Sequence, residues 1–559
     1  MCKEKMNVNV EFEDGRKVVV KEGTLIGEVI PDKNKYILGV NINNENKSLF
    51  HKVISDSYCR YITYDIKEGR RIYGRTLKFV FLAAVKILFG DTKVQFTNKN
   101  GNDYFANIKG VEINDNVVSN LKEIMQKIIQ SDFRIRKIQG RKEEIKRYYI
   151  NMNSLEQVSN LDRLEMRKKY TINFFEDRFE DEFGINYYNY LYGNLALSTG
   201  YIKSFDLLKY KSGIALVLPQ KDDINKIKEK FVTNRIFELS EEFMQICKKT
   251  EIYNVTDLNE RNINYDIQEV IRLAEYDSDN RINKIAEQII TRKNIKFVFL
   301  SGPSSSGKTT TAQKLSDFLK LLGKKSKVIS MDNFFMDEEN IPVRDGKKDY
   351  ECLENIDIEL FKEDINALLD KKKVVLPTYN FKEVKKEYIS KPYELSEDGI
   401  LIIEGIHALN PKVYSFIPKE NIFKIYVAPI VTLGLDSYSK LSTSDLRIVR
   451  RMVRDFEKRN IGCEKTLELW KDVVNSEEKN IFPYVDLADC ILNTNLIYEW
   501  GVLKDKACFL LLKVKNTSNN YAEARRIYQL LQNFIGIEEK YVPITSILRE
   551  FIGNGCYLC

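Results

Sequence analysis

Hydrophobic and polar residues alternate with a period of two in three short runs near the start of the chain: VNVEFEDG (8–15), RKVVVKEGT (16–24) and YILGVNIN (36–43). Period two turns one face of each run toward a core, so the first sixty or so residues predict a small β-rich module. From Asp65 the period lengthens. Leu77, Val80, Ala84 and Ile87 fall on one face of a helix, and Val118, Leu121, Met125 and Ile128 on one face of a second. Residues 190–219 read again as strands and turns and close a mixed α/β region. The charged stretch 222–292 predicts connecting helices, and a fresh apolar strand, NIKFVFLS, opens at Asn294. The pattern thus divides the chain into four regions, 1–67, 68–221, 222–293 and 294–559.

A length of 559 residues accommodates roughly three to four domains. With 43 % hydrophobic residues the chain is neither disordered nor fibrous. Its net charge of +7 is spread over 30 % charged residues of mixed sign, which permits a polyanionic partner without requiring one. The densest basic run, RIRKIQGRKEEIKRYY from Arg134, reads as a solvated helix face or as an RNA contact. The longest apolar run, LKFVFLAAVKILF (77–89), is too short to span a bilayer, and the first residues hold no apolar signal core. A cytoplasmic protein without a membrane segment is expected.

Nine cysteines, an odd number scattered along the chain, argue against a disulfide framework. Cys556 and Cys559 alone have C-x-x-C spacing, with no second pair and no nearby His to complete a zinc site. Only two histidines, His51 and His407, are available, which removes most His-based metal and nucleophile chemistry from consideration.

The strand 297–301 leads into GPSSSGKTT (302–310) and then into a helix with Ala312, Leu315, Leu319 and Leu322 on one side. This is G-x-x-x-x-G-K-S/T in the strand, loop, helix setting that the pattern requires. Gly302, Ser304, Ser305, Ser306, Gly307, Lys308, Thr309 and Thr310 would cradle phosphates with backbone N–H groups at a helix N-terminus. Lys308 adds a point charge, and Thr309 a hydroxyl for Mg²⁺. No N-K-x-D guanine-reading motif is present, so ATP is the expected nucleotide.

Two later strands end in carboxylates. KVIS delivers Asp332, placed to accept a hydroxyl proton, and GILIIEG (399–405) delivers Glu404, placed to hold Mg²⁺. Thr309, Glu404 and Asp332 are the candidate metal residues. TSDLRIVRRMVRDFEKR sets Arg447, Arg450 or Arg451, and Arg454 along one helical stripe, which suits a transferring phosphoryl under a closing lid.

Taken in order, GPSSSGKTT, SMDNFF, DYECLENID, LPTYNF, IIEGIHALNP and TSDLRIVRRMVRD resemble the uridine kinase and phosphoribulokinase family of P-loop kinases, over roughly 294–510. The resemblance implies transfer of the ATP γ-phosphate to a primary hydroxyl, commonly the 5′-hydroxyl of a nucleoside. It implies Asp332 as catalytic base, Glu404 beside Mg²⁺, and Arg447, Arg450 and Arg454 as lid and substrate arginines. Glu351 takes the place of a ribose-binding Asp, and Tyr379 that of an aromatic residue near the base. Where uridine and cytidine kinases carry a His after the Y-x-F, Val384 stands here, which opens the acceptor to another nucleoside or to another metabolite such as a sugar phosphate.

Residues 7–67 resemble a TGS domain, the small β-grasp module of threonyl-tRNA synthetases and some GTPases, through EDGRKVVVKEGTLIGEVI. GRTLKFVFLAAVKILFGDTKVQF is similar to the second N-terminal domain of threonyl-tRNA synthetase, with Arg75 and Phe79 where its first His pair would be. Editing chemistry is therefore not expected. The expected fold class is multidomain α/β: a TGS-like β-grasp domain, a synthetase-like α+β domain, a helical connector, and a three-layer α/β/α P-loop domain with a C-terminal extension. The front half is left as a regulator, an RNA contact or an interface; an oligomer, and an RNA- or ribosome-associated regulator with an ATP sensor, stay open.

Overall fold

The computed structural model describes the chain except for residues 1–5, 31–35, 101–102, 152–157, 159–160, 162–169, 228–234, 236–238, 240–241, 243, 345, 382 and 558–559. Cys559, and with it the C-x-x-C spacing, lies outside the described residues, as does most of 228–243. The described cysteines are free thiols. Among the described residues no helix is long and apolar enough to cross a membrane.

Alternation makes the first sheet. In β1 (Asn7–Phe12) Val8, Val10 and Phe12 turn inward, and β2 (Lys17–Lys21), β3 (Gly39–Ile42), β4 (Glu45–Lys47) and β5 (Ser57–Ile62) complete it. The order is β2-β1-β5-β3-β4, with β1 and β5 parallel and the other neighbours antiparallel. Helix α1 (Lys67–Phe89) follows and is buried along most of its length.

Next come β6 (Val94–Asn100), β7 (Asp103–Ile108), α2 (Asp115–Gln130), β8 (Ile135–Gly140), β9 (Tyr170–Phe175), β10 (Tyr188–Asn189), β11 (Asp206–Tyr210) and β12 (Gly213–Val217). They form an antiparallel β11-β12-β7-β6 sheet and a smaller β10-β9-β8 sheet. Asn114 caps α2 by accepting from Val117 N, and the helix buries Val118, Leu121, Met125 and Ile128, the stripe expected from its periodicity. One apolar core draws on residues from Val8 to Ile224, and a smaller cluster around Ile145, Tyr149 and Ile172 stands apart from it.

The basic run departs from the expected helix face: residues 135–140 are strand, paired with β9, and helix begins only at Lys142. Arg134 turns back toward Glu28, 3.9 Å away. The i, i+3 charge spacing there imitates a helix, but cross-strand pairing decides the backbone.

The C-terminal region is a parallel five-stranded sheet. In chain order it holds α3 (Ile267–Thr291), β13 (Phe297–Ser301), α4 (Lys308–Leu321), β14 (Lys325–Ser330), the ribbons β15 (Val343–Arg344)–β16 (Lys347–Lys348) and β17 (Thr378–Asn380)–β18 (Lys385–Glu387), β19 (Gly399–Glu404), β20 (Ile422–Ala428), α5 (Thr443–Arg459), α6 (Cys463–Asn480), β21 (Cys490–Asn493) and α7 (Glu499–Leu511). The sheet order β14-β19-β13-β20-β21 places β13 centrally, buried on both faces as its unbroken apolar sequence requires. Ala312, Leu315 and Leu319 bury one side of α4, whereas Leu322, expected with them, caps the helix and is exposed.

The front half grips the C-terminal region at the approach to α5. Phe96 N donates to Ser437 O at 3.2 Å and Lys78 Nζ to Tyr438 O at 2.5 Å. Arg71 on α1 stands 3.6 Å from Asp445, which also pairs with Arg526 at 2.7 Å.

Candidate active site

The strand order changes direction beside β13, and the loops at the carboxyl ends of β13, β14 and β19 converge there. A Cβ on Gly302 would stand 2.1 Å from Val427 O, so only glycine lets the loop lie this close to β20. Gly307 leads into α4 at φ 84°, the left-handed conformation that glycine adopts without strain. Ser305 holds φ 58°, a strained setting for a side-chain-bearing residue. The hydroxyls of Ser305 and Ser306 are buried and hydrogen-bond to no described residue. The first backbone donor satisfied within α4 is Thr311 N, to Gly307 O at 3.0 Å, which leaves the N–H groups of Lys308 and Thr309 at the open end of the helix. The loop is a concave cradle of donors at a helix dipole, which is what a polyphosphate needs.

Three carboxylates share this end of the sheet. Parallel pairing sets Glu404 beside Ser330 of β14 and Leu300 of β13. Glu404 Oε1 accepts from Thr309 Oγ1 at 3.4 Å, and burial pushes its pKa up to about 7 against the pull of Lys308. Asp332 follows β14 in a short turn, its N–H donating to Ser330 Oγ at 3.3 Å. Burial raises its pKa, while Lys308 and Arg459 restrain the rise. Glu351 is raised by burial and by Asp332, and held down by Arg451 and Lys308. Lys308 is thus the cation common to all three.

Glu351 is anchored through its own carbonyl. His407 Nε2 donates to it at 3.1 Å, Ser476 Oγ at 3.2 Å and Asn480 Nδ2 at 3.5 Å. His407 is buried, its Nδ1 without a hydrogen bond to a described residue, and desolvation lowers its pKa to about 4. The unfolded chain protonates this imidazole near pH 6.5 and the folded chain only near 4, so folded stability is lost as pH falls through that window, by up to about 3 kcal/mol. A His407→Gln variant lacks this loss. Its stability deficit against the natural protein in urea titrations should therefore narrow between pH 7 and pH 4; a deficit constant over that range would contradict the assignment.

Tyr379 N donates to Asn333 Oδ1 at 3.3 Å, which ties the β17–β18 ribbon to the residue after Asp332. Its hydroxyl donates to Met336 O at 3.0 Å, and its ring meets Phe335 and Phe381 edge-on. Val384 turns the ribbon at φ 51°, packs against the apolar cluster below and accepts from Glu338 N through its carbonyl. Its side chain supplies no polar group.

The arginine stripe of α5 divides in two. Arg447 Nε donates to Ser304 O at 2.9 Å while its guanidinium pairs with Glu477. Arg450 is wholly buried: Nε and Nη2 hold Glu499 at 2.6 and 3.0 Å, Nη1 reaches Ser305 O and Nη2 reaches Thr494 O. These two clamp the phosphate loop from outside. Arg451 Nη1 donates to Ser304 Oγ at 2.9 Å, and Arg454 Nε makes no hydrogen bond to a described residue, standing 3.7 Å from Asp455. Burial lowers the Arg454 pKa, as does its cationic neighbour Arg459. A crowded guanidinium with an unspent donor beside a phosphate cradle is suited to an anion.

Glu477, Glu499 and Glu550 complete the surroundings. None belongs to a motif readable in the sequence, because each reaches the loop or its arginines from far along the chain.

Residues 297–496 match the Phosphoribulokinase / Uridine kinase family. Among proteins of known function, "Uridine-cytidine kinase C" of Dictyostelium discoideum is 34% identical over 131 residues, 23% of this chain and 27% of its own length. "Uridine kinase" of Borrelia garinii subsp. bavariensis is 26% identical over 218 residues, 39% of this chain and 92% of its own. Among solved structures, a "Possible Uridine Kinase from Bacillus stearothermophilus" is 20% identical, with a TM-score of 0.26, covering 38% of this chain and 98% of that one. The C-terminal region is a P-loop kinase domain, a phosphotransferase with an alcohol acceptor, and kinases of this family use ATP and Mg²⁺.

Proposed function

We propose that the protein transfers the γ-phosphoryl of ATP to a small-molecule alcohol, with the 5′-hydroxyl of a nucleoside as the acceptor. The observation that carries the reading is a half-buried, desolvated Asp332 beside Lys308 at the mouth of the phosphate cradle, with the Glu351 carboxyl near both. Burial makes Asp332 a stronger proton acceptor than an aspartate in water, so it can orient the attacking hydroxyl and take its proton. Glu351 accepts hydrogen bonds from neighbouring hydroxyls of the acceptor, with a longer arm than an Asp. Lys308, Arg451 and Arg454 face the transferring phosphoryl, whose charge spreads over its outer oxygens as it moves. Arg447 and Arg450 act on the loop's shape.

The loop's fit to a triphosphate rests on the Gly302 and Gly307 backbone and on the buried Ser305 and Ser306 hydroxyls, which spend no hydrogen bond on a described residue. Thr309 and Glu404 would hold Mg²⁺, which supplies charge neutralisation at the β and γ phosphates.

Val384 favours a broader acceptor range than a pyrimidine-reading enzyme, because a valine cannot reward the hydrogen-bonding edge of one base over another. A sugar phosphate or other metabolite is the second reading that this residue supports. In the front half, the 2-1-5-3-4 strand order with a parallel central pair supports a TGS-like β-grasp module, joined to a synthetase-like α+β module. We place the enzyme in the cytoplasm, in keeping with its free thiols.

Incubation with Mg·ATP and each common nucleoside, read by mass spectrometry and phosphorus NMR, should yield a 5′-monophosphate. The matching 5′-deoxynucleoside should bind without turnover. Phosphate appearing at another hydroxyl, or product only with non-nucleoside alcohols, would overturn the nucleoside assignment.

A further inference from the structure

The segment closing the chain lies against the phosphate loop. Ile547, Leu548, Phe551 and Ile552 are buried in the apolar clusters of the kinase domain, and Ile547 Cγ2 would sit 2.6 Å from a Cβ on Gly307. Arg549 pins the turn by donating to the carbonyls of Glu539 and Val542 at 2.9 and 2.6 Å. This anchoring projects Glu550, 7% exposed, at the N-terminus of α4. Its Oε2 accepts from Thr310 N at 3.3 Å and from Thr310 Oγ1 at 3.0 Å. Thr310 N is one of the helix-terminal donors that such loops offer to nucleotide phosphate.

We propose that Glu550 is an internal competitor for the nucleotide: its carboxylate occupies a phosphate position of the loop, and nucleotide binding must turn it aside. The inference rests on the nucleotide-binding reading of the loop given above. The turn itself is too deeply packed to leave, so the movement belongs to the side chain. A receiving partner is at hand, because Arg454 already feels the Glu550 charge and has an unspent Nε donor. Glu550 on Thr310 and Glu550 on Arg454 are two positions of one switch. In the second, the carboxylate moves away from incoming phosphate and settles an arginine of the lid helix.

A carboxylate held by a backbone N–H and a hydroxyl resists displacement, and its charge repels the ligand that replaces it. Glu550→Gln keeps the shape and removes the charge, so affinity for Mg·ATP should rise about tenfold. Inorganic tripolyphosphate, which has only the phosphates to offer, should gain by a similar factor. Glu550→Asp, whose arm is too short for Thr310, should gain less, and it keeps the test open if the Gln variant does not fold.

Calorimetric titration of the full chain reads all three proteins, with Lys308→Ala as control. Unchanged or weaker binding in the folded Glu550 variants, while Lys308→Ala loses binding, makes Glu550 a fixed helix cap and overturns the proposal alone. Titrations in which Lys308→Ala matches the natural protein overturn the nucleotide reading and the proposal together.

Discussion

Asp332→Asn is expected to lower turnover by about 10²- to 10⁴-fold while Mg·ATP affinity stays within about twofold. The amide keeps the volume and can still accept a hydrogen bond from the attacking hydroxyl, but it cannot take the proton. The proposed ATP-binding surface is built from other groups, namely the loop N–H donors, Lys308, Arg451 and Arg454. The loss should therefore fall on kcat and leave binding nearly intact, the mark of an interaction made at the transition state. Steady-state kinetics beside calorimetry separate the two. Turnover equal to that of the natural protein would remove Asp332 from the chemistry.

Arg450→Met is expected to destabilise the protein by about 3–5 kcal/mol, because it breaks a buried ion pair and strands the partner's charge. Arg450 and Glu499 are both fully buried. Glu499 also accepts from Asn495 Nδ2 at 2.6 Å and Leu496 N at 2.9 Å, so it keeps its place when the arginine is gone. The same guanidinium holds Ser305 O and Thr494 O, so the loop loses its rear support as well. Urea unfolding measures the loss. The double variant Arg450→Met with Glu499→Gln should recover a large part of it by removing the stranded charge. A fall of less than about 1 kcal/mol in the single variant would contradict a clamping role.

This residue shows where sequence reading stops. The stripe of Arg447, Arg450, Arg451 and Arg454 is legible because helical spacing is local. What each arginine holds is decided by Glu477, Glu499 and the loop carbonyls, which lie up to about 150 positions away. The phosphate cradle and the carboxylates of Asp332 and Glu404 are legible for the opposite reason: each sits at a strand end in a short pattern that the backbone alone positions. The helices over 67–89 and 115–130 follow from unambiguous period-3.6 stripes. The strand at 135–140 escapes, since six residues with isoleucines three apart and two long cations between them fit either period until β9 pairs with them. Glu550 has no signature at all, being one acid in a short terminal turn until the core carries it to Thr310.

The most direct test is the rate of ADP release from Mg·ATP with each common nucleoside supplied singly, in the natural protein, Lys308→Ala and Asp332→Asn. Stimulation by one or more nucleosides that disappears in both variants is the predicted result. Silence across the nucleosides while ATP still binds, or stimulation that survives Lys308→Ala, would contradict a nucleoside kinase built on this loop.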